Sequence, residues 1–380
     1  MPGKFFVTRM FFFLLLAVPV WRVDTAHAQG VSADTILIGQ SAALTGPAEA
    51  LGREMKAGAQ AYFDTVNKVG GINGRKIKLI SLDDGYEPER AKANTEKLIN
   101  EEKVLALFAY VGTPTSNAAL PIFTKAKVPF IGAFTGAQSL REPFNRYIFN
   151  VRASYFDETE DIVRHMTAVG ISRIAVFYQN DGYGQAGLAG IERAMKKRNL
   201  ELVGKATVER NSVDVINAVN VLSKVNATAI VQISAYKSCA AFIKAMQKGG
   251  HLTQYWNVSF VGSKALAAEL GEAGRGVQIS QVVPFPWAEE IPIVAEYQKA
   301  IGGPANYSFT SLEGYIAAKV LVEGMRRAGK NLTRESLVDG LTKIRAADFG
   351  GFKVRYMPDN HNGSTFVDLT ILSKGGKFKR

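Results

Sequence analysis

The sequence predicts an α/β protein of two lobes, each a doubly wound parallel sheet covered by helices on both faces. Three observations carry this reading. Short β-branched runs alternate with longer segments of helical period from Thr35 onward. The alternation runs twice, on either side of about Val151, with no Gly/Ser-rich linker between the runs. A chain of 380 residues has room for two compact cores. With 47% hydrophobic and 21% charged residues, neither a disordered chain nor a multi-span membrane protein is compatible with the composition.

Taken in order, residues 35–39 form the first expected strand, an apolar run ending at a glycine. Over 51–68, Met55, Ala59, Tyr62, Phe63 and Val66 fall on one face of a helix. Strands at 76–82, 104–109 and 128–131 then alternate with helices at 87–100 and 114–126. The second run has helices at 157–169, 183–198, 213–224 and 236–248, and strands at 173–178, 200–208 and 229–233. Repeated β-α-β units require parallel strands with crossover helices. After Gly276 the order changes: a strand reaching Val283, helices at 292–301 and 308–327, and two closing strands at 351–356 and 366–372.

Residues 1–28 are expected to be a secretory signal peptide. Lys4 and Arg9 precede an apolar run from Met10 to Val20, and Ala26-His27-Ala28 supplies a small-x-small cleavage site. The run is shorter than the about 20 residues that span a bilayer. The formal charge of +12 raises the question of nucleic acid. However, the basic residues are dispersed, and the groups at 196–198, 326–327 and 374–380 lack interleaved aromatics, as expected of a solvated surface. No nucleic-acid partner is expected. The single cysteine, Cys239, excludes an internal disulfide and any cysteine-rich metal site, and reads as a buried apolar residue.

No residue set announces catalysis. The histidines share no metal-ligand spacing, and neither a G-x-S-x-G elbow nor a Walker A loop is present. Gly182-Tyr-Gly-Gln-Ala-Gly187 matches a dinucleotide fingerprint, with Glu209 as the acid ending the next strand, but Tyr183 crowds the turn. Asp83-Asp84 reads as the end of a strand with a capped turn, rather than a carboxylate pair for chemistry. Neither an enzyme nor a metal or cofactor is expected.

What remains is binding by loops at the C-terminal ends of strands, where open α/β sheets hold ligands. In Gly112-Thr113-Pro114, Thr113 is placed to cap a helix with Pro114 at its first position, leaving first-turn N–H groups for a carboxylate. A threonine that merely caps its own helix would explain the same residues. Phe134-Thr135-Gly136 offers a ring and a hydroxyl after the next strand, and Tyr183, Tyr236 and Ser259 occupy comparable places in the second half.

Leu44-Thr-Gly-Pro47, Gly70-Gly-Ile-Asn-Gly74, Asp83-Asp84, Tyr183-Gly184 and Ser311-Leu-Glu-Gly-Tyr315, in this order along the chain, carry a resemblance. The sequence resembles the periplasmic substrate-binding proteins of branched-chain amino-acid ABC transporters, the leucine/isoleucine/valine-binding type. The resemblance implies a type I periplasmic-binding fold, two lobes joined by a three-crossover hinge near Val151, Val283 and Asp359. Lobe 1 would then hold 31–151 and 284–358, and lobe 2 would hold 152–283 and 359–380. It also implies a periplasmic location, a small-molecule ligand, an inner-membrane permease as partner, and a monomer. A receptor-like sensing module on the same fold is the alternative of another class.

In that family a serine and a threonine hold the amino acid's carboxylate and ammonium, and a glutamate pairs with the ammonium. Those positions fall here on Gly112, Gly136 and Ser259, with Thr113 and Thr135 one residue away. A buried ammonium left without a carboxylate loses about 3–5 kcal/mol. Either Glu313 or Asp181 supplies the missing charge, or the ligand is an acid or amide without an amine.

Overall fold

Strand β1 (Thr35–Ala42) pairs in parallel with β2 (Lys76–Asp83) over its whole length, Thr35 opposite Lys76 and Ala42 opposite Asp83. Around it the computed structural model, which describes residues 1–5 and 29–380, builds a five-stranded parallel sheet in the order β2-β1-β3-β4-β5. Its other strands are β3 (Ala106–Phe108), β4 (Phe130–Ile131) and β5 (Ile148–Phe149). The apolar run and cleavage site expected of a signal peptide lie outside the described residues.

Helices α1 (Glu49–Lys68), α2 (Pro88–Asn100) and α3 (Thr113–Lys125) connect these strands. The apolar face expected of α1 is the buried one: Leu51, Met55, Ala59, Tyr62, Phe63 and Val66. It packs on a helix from much later in the chain. A Cβ on Gly58 would strike the backbone of Ser311, and one on Gly314 would strike that of Met55. Only glycines permit so close a crossing.

The second sheet has seven strands in the order β14-β13-β10-β9-β8-β6-β7. Its parallel members are β6 (Ile174–Gln179), β7 (Gly204–Val208), β8 (Ala229–Ile233), β9 (Gln254–Asn257) and β10 (Gln278–Gln281). Helices α4 (Tyr155–Ala168), α5 (Gly182–Lys196), α6 (Ile216–Leu222), α7 (Tyr236–Lys248) and α8 (Ser263–Leu270) wind around it.

The chain then returns to the first sheet's helices with α9 (Pro292–Ala300), α10 (Phe309–Ala328) and α11 (Arg334–Thr342). Strands β11 (Ala347–Asp348) and β12 (Lys353–Val354) pair only with each other. The last strands, β13 (Asp368–Leu372) and β14 (Phe378–Lys379), close the second sheet antiparallel.

Several expectations are corrected. The sequence reading missed β9, because Gln254-Tyr-Trp-Asn257 has no β-branched residue. The expected strand at 351–356 is the two-residue β12 and joins neither large sheet. The second sheet is mixed rather than wholly parallel, since its last strands arrive after the helical connections have ended. Helix α4 begins at Tyr155, two residues early, because Ser154 and Asp157 form a reciprocal capping box. The strand at 200–208 begins only at Gly204.

The chain passes between the two sheets after β5, after β10 and before β13. Asn150, just past β5, pairs with the backbone at 361–363: its N–H donates to His361 O at 2.9 Å, and its carbonyl accepts from Gly363 N at 2.8 Å. Arg141 adds bonds to the carbonyls of Arg152 and Ala153 and to Asn362 Oδ1. Burial, with Arg152 nearby, pulls the Arg141 guanidinium down to about 10.

Candidate ligand-binding cleft

The loop residues expected to bind ligand, together with several others, follow the C-terminal ends of parallel strands, and the two sheets turn these ends toward each other. Tyr86 follows β2, Gly112 and Thr113 follow β3, Phe134 to Gly136 follow β4, and Arg152 and Tyr155 follow β5. From the second sheet come Tyr183 after β6, Tyr236 after β8, and Ser259 and Phe260 after β9.

The N-terminus of α3 differs from the expected arrangement. Gly112, at φ 101°, is the N-cap, Thr113 and Pro114 are the first two helical residues, and no side chain caps the helix. Thr113 Oγ1 instead lies 2.6 Å from Thr135 Oγ1. The cap-only reading of Thr113 therefore fails: its hydroxyl is turned away from the helix it begins. Thr135 Oγ1 in turn donates to the Tyr155 hydroxyl at 3.3 Å. An uncapped helix start beside two paired hydroxyls is suited to an anionic group.

Around this polar corner stands a chain of rings. Phe260 lies 4.6 Å from Tyr183, 5.1 Å from Phe134 and 5.8 Å from Tyr86, and Tyr155 lies 5.5 Å from Tyr183. All five are buried. Burial drives the hydroxyls of Tyr86 and Tyr183 well above their usual range, so both stay protonated. Among the described residues the Tyr183 hydroxyl and Ser116 Oγ are buried without a hydrogen-bond partner.

The bare backbones of the two glycines have a visible cause. A Cβ on Gly112 would run into the Tyr86 ring. One on Gly136 would stand 2.6 Å from Tyr155 N and 2.7 Å from its ring. A tyrosine thus covers each position.

At Ser259 a buried ion network stands instead of a free carboxylate. Glu158 accepts from Arg152 at 2.6 Å, Ser259 N at 2.8 Å, Ser259 Oγ at 3.1 Å and Ser280 Oγ at 2.6 Å. Arg152 also reaches Ser259 Oγ, stands 3.4 Å from Glu313, and lies over the Phe134 and Tyr155 rings at 5.4 and 5.7 Å. Burial opposes the charge of Arg152, but Glu313 and Glu158 outweigh it and hold the group above its ordinary range. Burial pushes Glu313 up to about 7 against the pull of Arg152. Asp181 is committed elsewhere: it caps α5 through the N–H groups of Tyr183 and Gly184 and accepts from Gln179 and Arg210.

Other sequence features resolve into packing. In Gly182–Gly187, a Cβ on Gly184 would strike the Gln179 backbone and one on Gly187 would meet Ile233 at 2.5 Å. The fingerprint serves helix–strand approach, and Glu209 accepts from Asn180 at 2.7 Å. Asp83 gathers Leu44 N, Thr45, Gly85 N and Arg90, which hold its carboxyl well below the usual range despite burial. Asp84 accepts from Ser41 and Tyr86 N, and burial pushes it up to about 6. Tyr236 is buried at the start of α7, and among the described residues no ring contact joins it to the aromatics named above.

Tyr86, Arg152, Tyr155, Glu158 and Phe260 escaped the sequence reading. Tyr86 stands two residues past Asp84, and Phe260 adjoins Ser259, so strand-end position was their signal. Arg152 and Glu158 pair with each other six residues apart, but what joins them to the site, Ser259, lies 107 and 101 residues away, so nothing local marked them.

The profile of the periplasmic binding protein family matches residues 35–377. A Leu/Ile/Val-binding protein homolog 7 of Brucella abortus is 26% identical over 336 residues, covering 82% of each chain. A possible leucine/isoleucine/valine-binding protein from Rhodopirellula baltica shares 34% identity at a TM-score of 0.87, covering 91% of this chain and 96% of its own. A substrate-binding periplasmic protein from Ralstonia solanacearum shares 31% at a TM-score of 0.84, over 89% and 98%. With two sheets meeting at their strand ends and a match along almost the whole described chain, this protein belongs to the periplasmic binding protein family, in its leucine/isoleucine/valine-binding type with the type I fold.

Proposed function

We propose that this protein is the periplasmic solute-binding component of an ABC importer, capturing a small carboxylate-bearing molecule between its lobes and delivering it to an inner-membrane permease. The lobes are 31–151 with 284–358 and 152–283 with 359–380, and the protein acts as a monomer without chemistry on its ligand. The observation that carries the reading is the uncapped start of α3 with the Thr113–Thr135 hydroxyl pair against buried rings. A carboxylate takes the first-turn N–H groups and the hydroxyls, and the rings cover the ligand body. Contacts from both sheets favour the closed state once ligand is present.

The test is a thermal-shift screen of small carboxylates on protein stripped of ligand by unfolding and refolding. A ligand at about 1,000 times its dissociation constant adds about 4 kcal/mol. Replacing both Thr113 and Thr135 by Val is expected to remove the shift while leaving the unliganded melting temperature within a few degrees. An undiminished shift in that variant puts the carboxylate elsewhere.

A further inference from the structure

Resting on that reading, we infer that the ligand is a carboxylate without an ammonium group, and that Tyr86 and Tyr155 are the residues that set this specificity. An α-amino acid needs two things beside its carboxylate: hydrogen-bond acceptors for the ammonium, and a negative charge not already spent. Where Gly112 and Gly136 stand no side chain supplies the first, and the Thr113 and Thr135 hydroxyls beside them are bonded to each other. Tyr86 covers the former from the loop after β2, held by its N–H on Asp84 Oδ1 at 2.8 Å and by Gln179, which donates to its hydroxyl at 3.1 Å. Tyr155 covers the latter, donating its N–H to Gly136 O at 2.8 Å. Both rings set apolar surface against the glycines, and their hydroxyls are already held by Gln179 and Thr135.

The second requirement fails carboxylate by carboxylate. Glu158 has four donors, and Asp181 is shared among a helix start, an amide and a guanidinium. Asp84 holds Ser41 and Tyr86 N. Glu313 faces Arg152, so an ammonium placed there meets a resident cation first. A compact aromatic or branched aliphatic acid meets neither obstacle: its carboxylate goes to α3, and its body to the rings.

The experiment is calorimetric titration of the refolded protein with matched pairs: leucine against 4-methylpentanoate, and phenylalanine against 3-phenylpropanoate. The amine-free member of each pair is expected to bind at least about 100-fold tighter, since an unpaired buried charge costs several kcal/mol. Tyr86→Ala and Tyr155→Ala are expected to shrink that ratio by about tenfold or more, whereas Tyr86→Phe and Tyr155→Phe, which keep the rings and guard against misfolding, preserve it. A wild-type ratio favouring acids that the alanine variants leave unchanged overturns the assignment of the two tyrosines. A ratio favouring amino acids, with Glu313→Gln abolishing it, overturns the ligand class while the importer reading stands. Binding of no carboxylate in either set overturns both.

Discussion

Two ion networks bind the halves of this protein together, one at each end of the cleft, and their surroundings differ more than their chemistry. At the far end, Glu87 beyond β2 accepts from Arg210 at 2.9 Å and from Asn211 at 2.7 Å beyond β7, and Asn211 also donates to Gly85 O. Strands β2 and β7 are the edge strands of their sheets farthest from the crossing segments. The side chains of Arg210 and Glu87 remain 23% and 44% exposed. At the hinge end, Arg152, Glu158 and Glu313 are buried. A half-exposed pair is worth about 0–1 kcal/mol and is screened by salt. Removing one member of a buried network strands a charge and costs about 3–5 kcal/mol. In the proposed closure the first end is the one free to part; the second cannot be rebuilt piecemeal.

Arg152→Met is the harshest way to break this contrast. It leaves Glu158 and Glu313 facing each other in a dry site and is expected to lower the unfolding free energy by about 3–5 kcal/mol, measured by urea titration. Adding Glu313→Gln removes one stranded carboxyl and recovers part of the loss. A cost under about 1 kcal/mol for the single variant means that Glu313 simply takes up a proton, and that the buried network stabilises no more than the exposed one.

Protonation sharpens the comparison at the hinge. His361 stacks on Phe149 at 3.9 Å, with Nδ1 3.0 Å from Ile148 O, and burial depresses its pKa to about 4. A cation disfavoured in the folded state gives stability that is present above about 6.5 and lost as pH falls through 4, a total of about 3 kcal/mol. Glu313 and Asp84 act in the opposite sense. Their raised pKa values give stability complete below about 4.5 for Glu313 and below about 3.8 for Asp84, lost as pH rises through about 7 and about 6 respectively. The net slope of the wild type is therefore shallow, and the difference between it and His361→Gln isolates the histidine. That difference should shrink from pH 7 to pH 4, and a constant offset would locate the acid sensitivity in another group.

The networks also show what a linear reading of the chain reaches. Periodicity located nearly every helix of the parallel units, because burying one face demands it. It missed β9, where aromatic and amide residues replace β-branched ones. In the cleft, Gly112, Thr113, Phe134, Thr135, Gly136 and Tyr183 were legible because binding loops follow strand ends. The rings covering the glycines were not: Tyr86 and Tyr155 also follow strand ends, but from other strands, so that each covers a glycine is recognisable only once the sheets are placed. Ser259 was legible by its place after a strand, and the resemblance added that a glutamate is missing there; the charges that fill its surroundings were hidden because they come from other elements.

Arg210→Ala is the mildest test and separates closure from stability. Arg210 joins Glu87 on one lobe to Asp181, which caps α5 behind Tyr183 on the other. Losing it removes a screened pair, so the unfolding free energy should change by no more than about 1 kcal/mol. The Glu87 share of that loss acts on the closed state alone, because in the proposed open cleft Glu87 and Arg210 are apart, whereas the Asp181 pair stays within one half. Stopped-flow dissociation should then quicken by up to about fivefold, with the association rate nearly unchanged. Raising the salt to 1 M should speed release from the wild type toward the variant, since a Debye length of about 3 Å leaves little of an exposed pair. Equal release rates at low salt would mean that the rings alone hold the cleft shut, and that the far network follows closure instead of prolonging it.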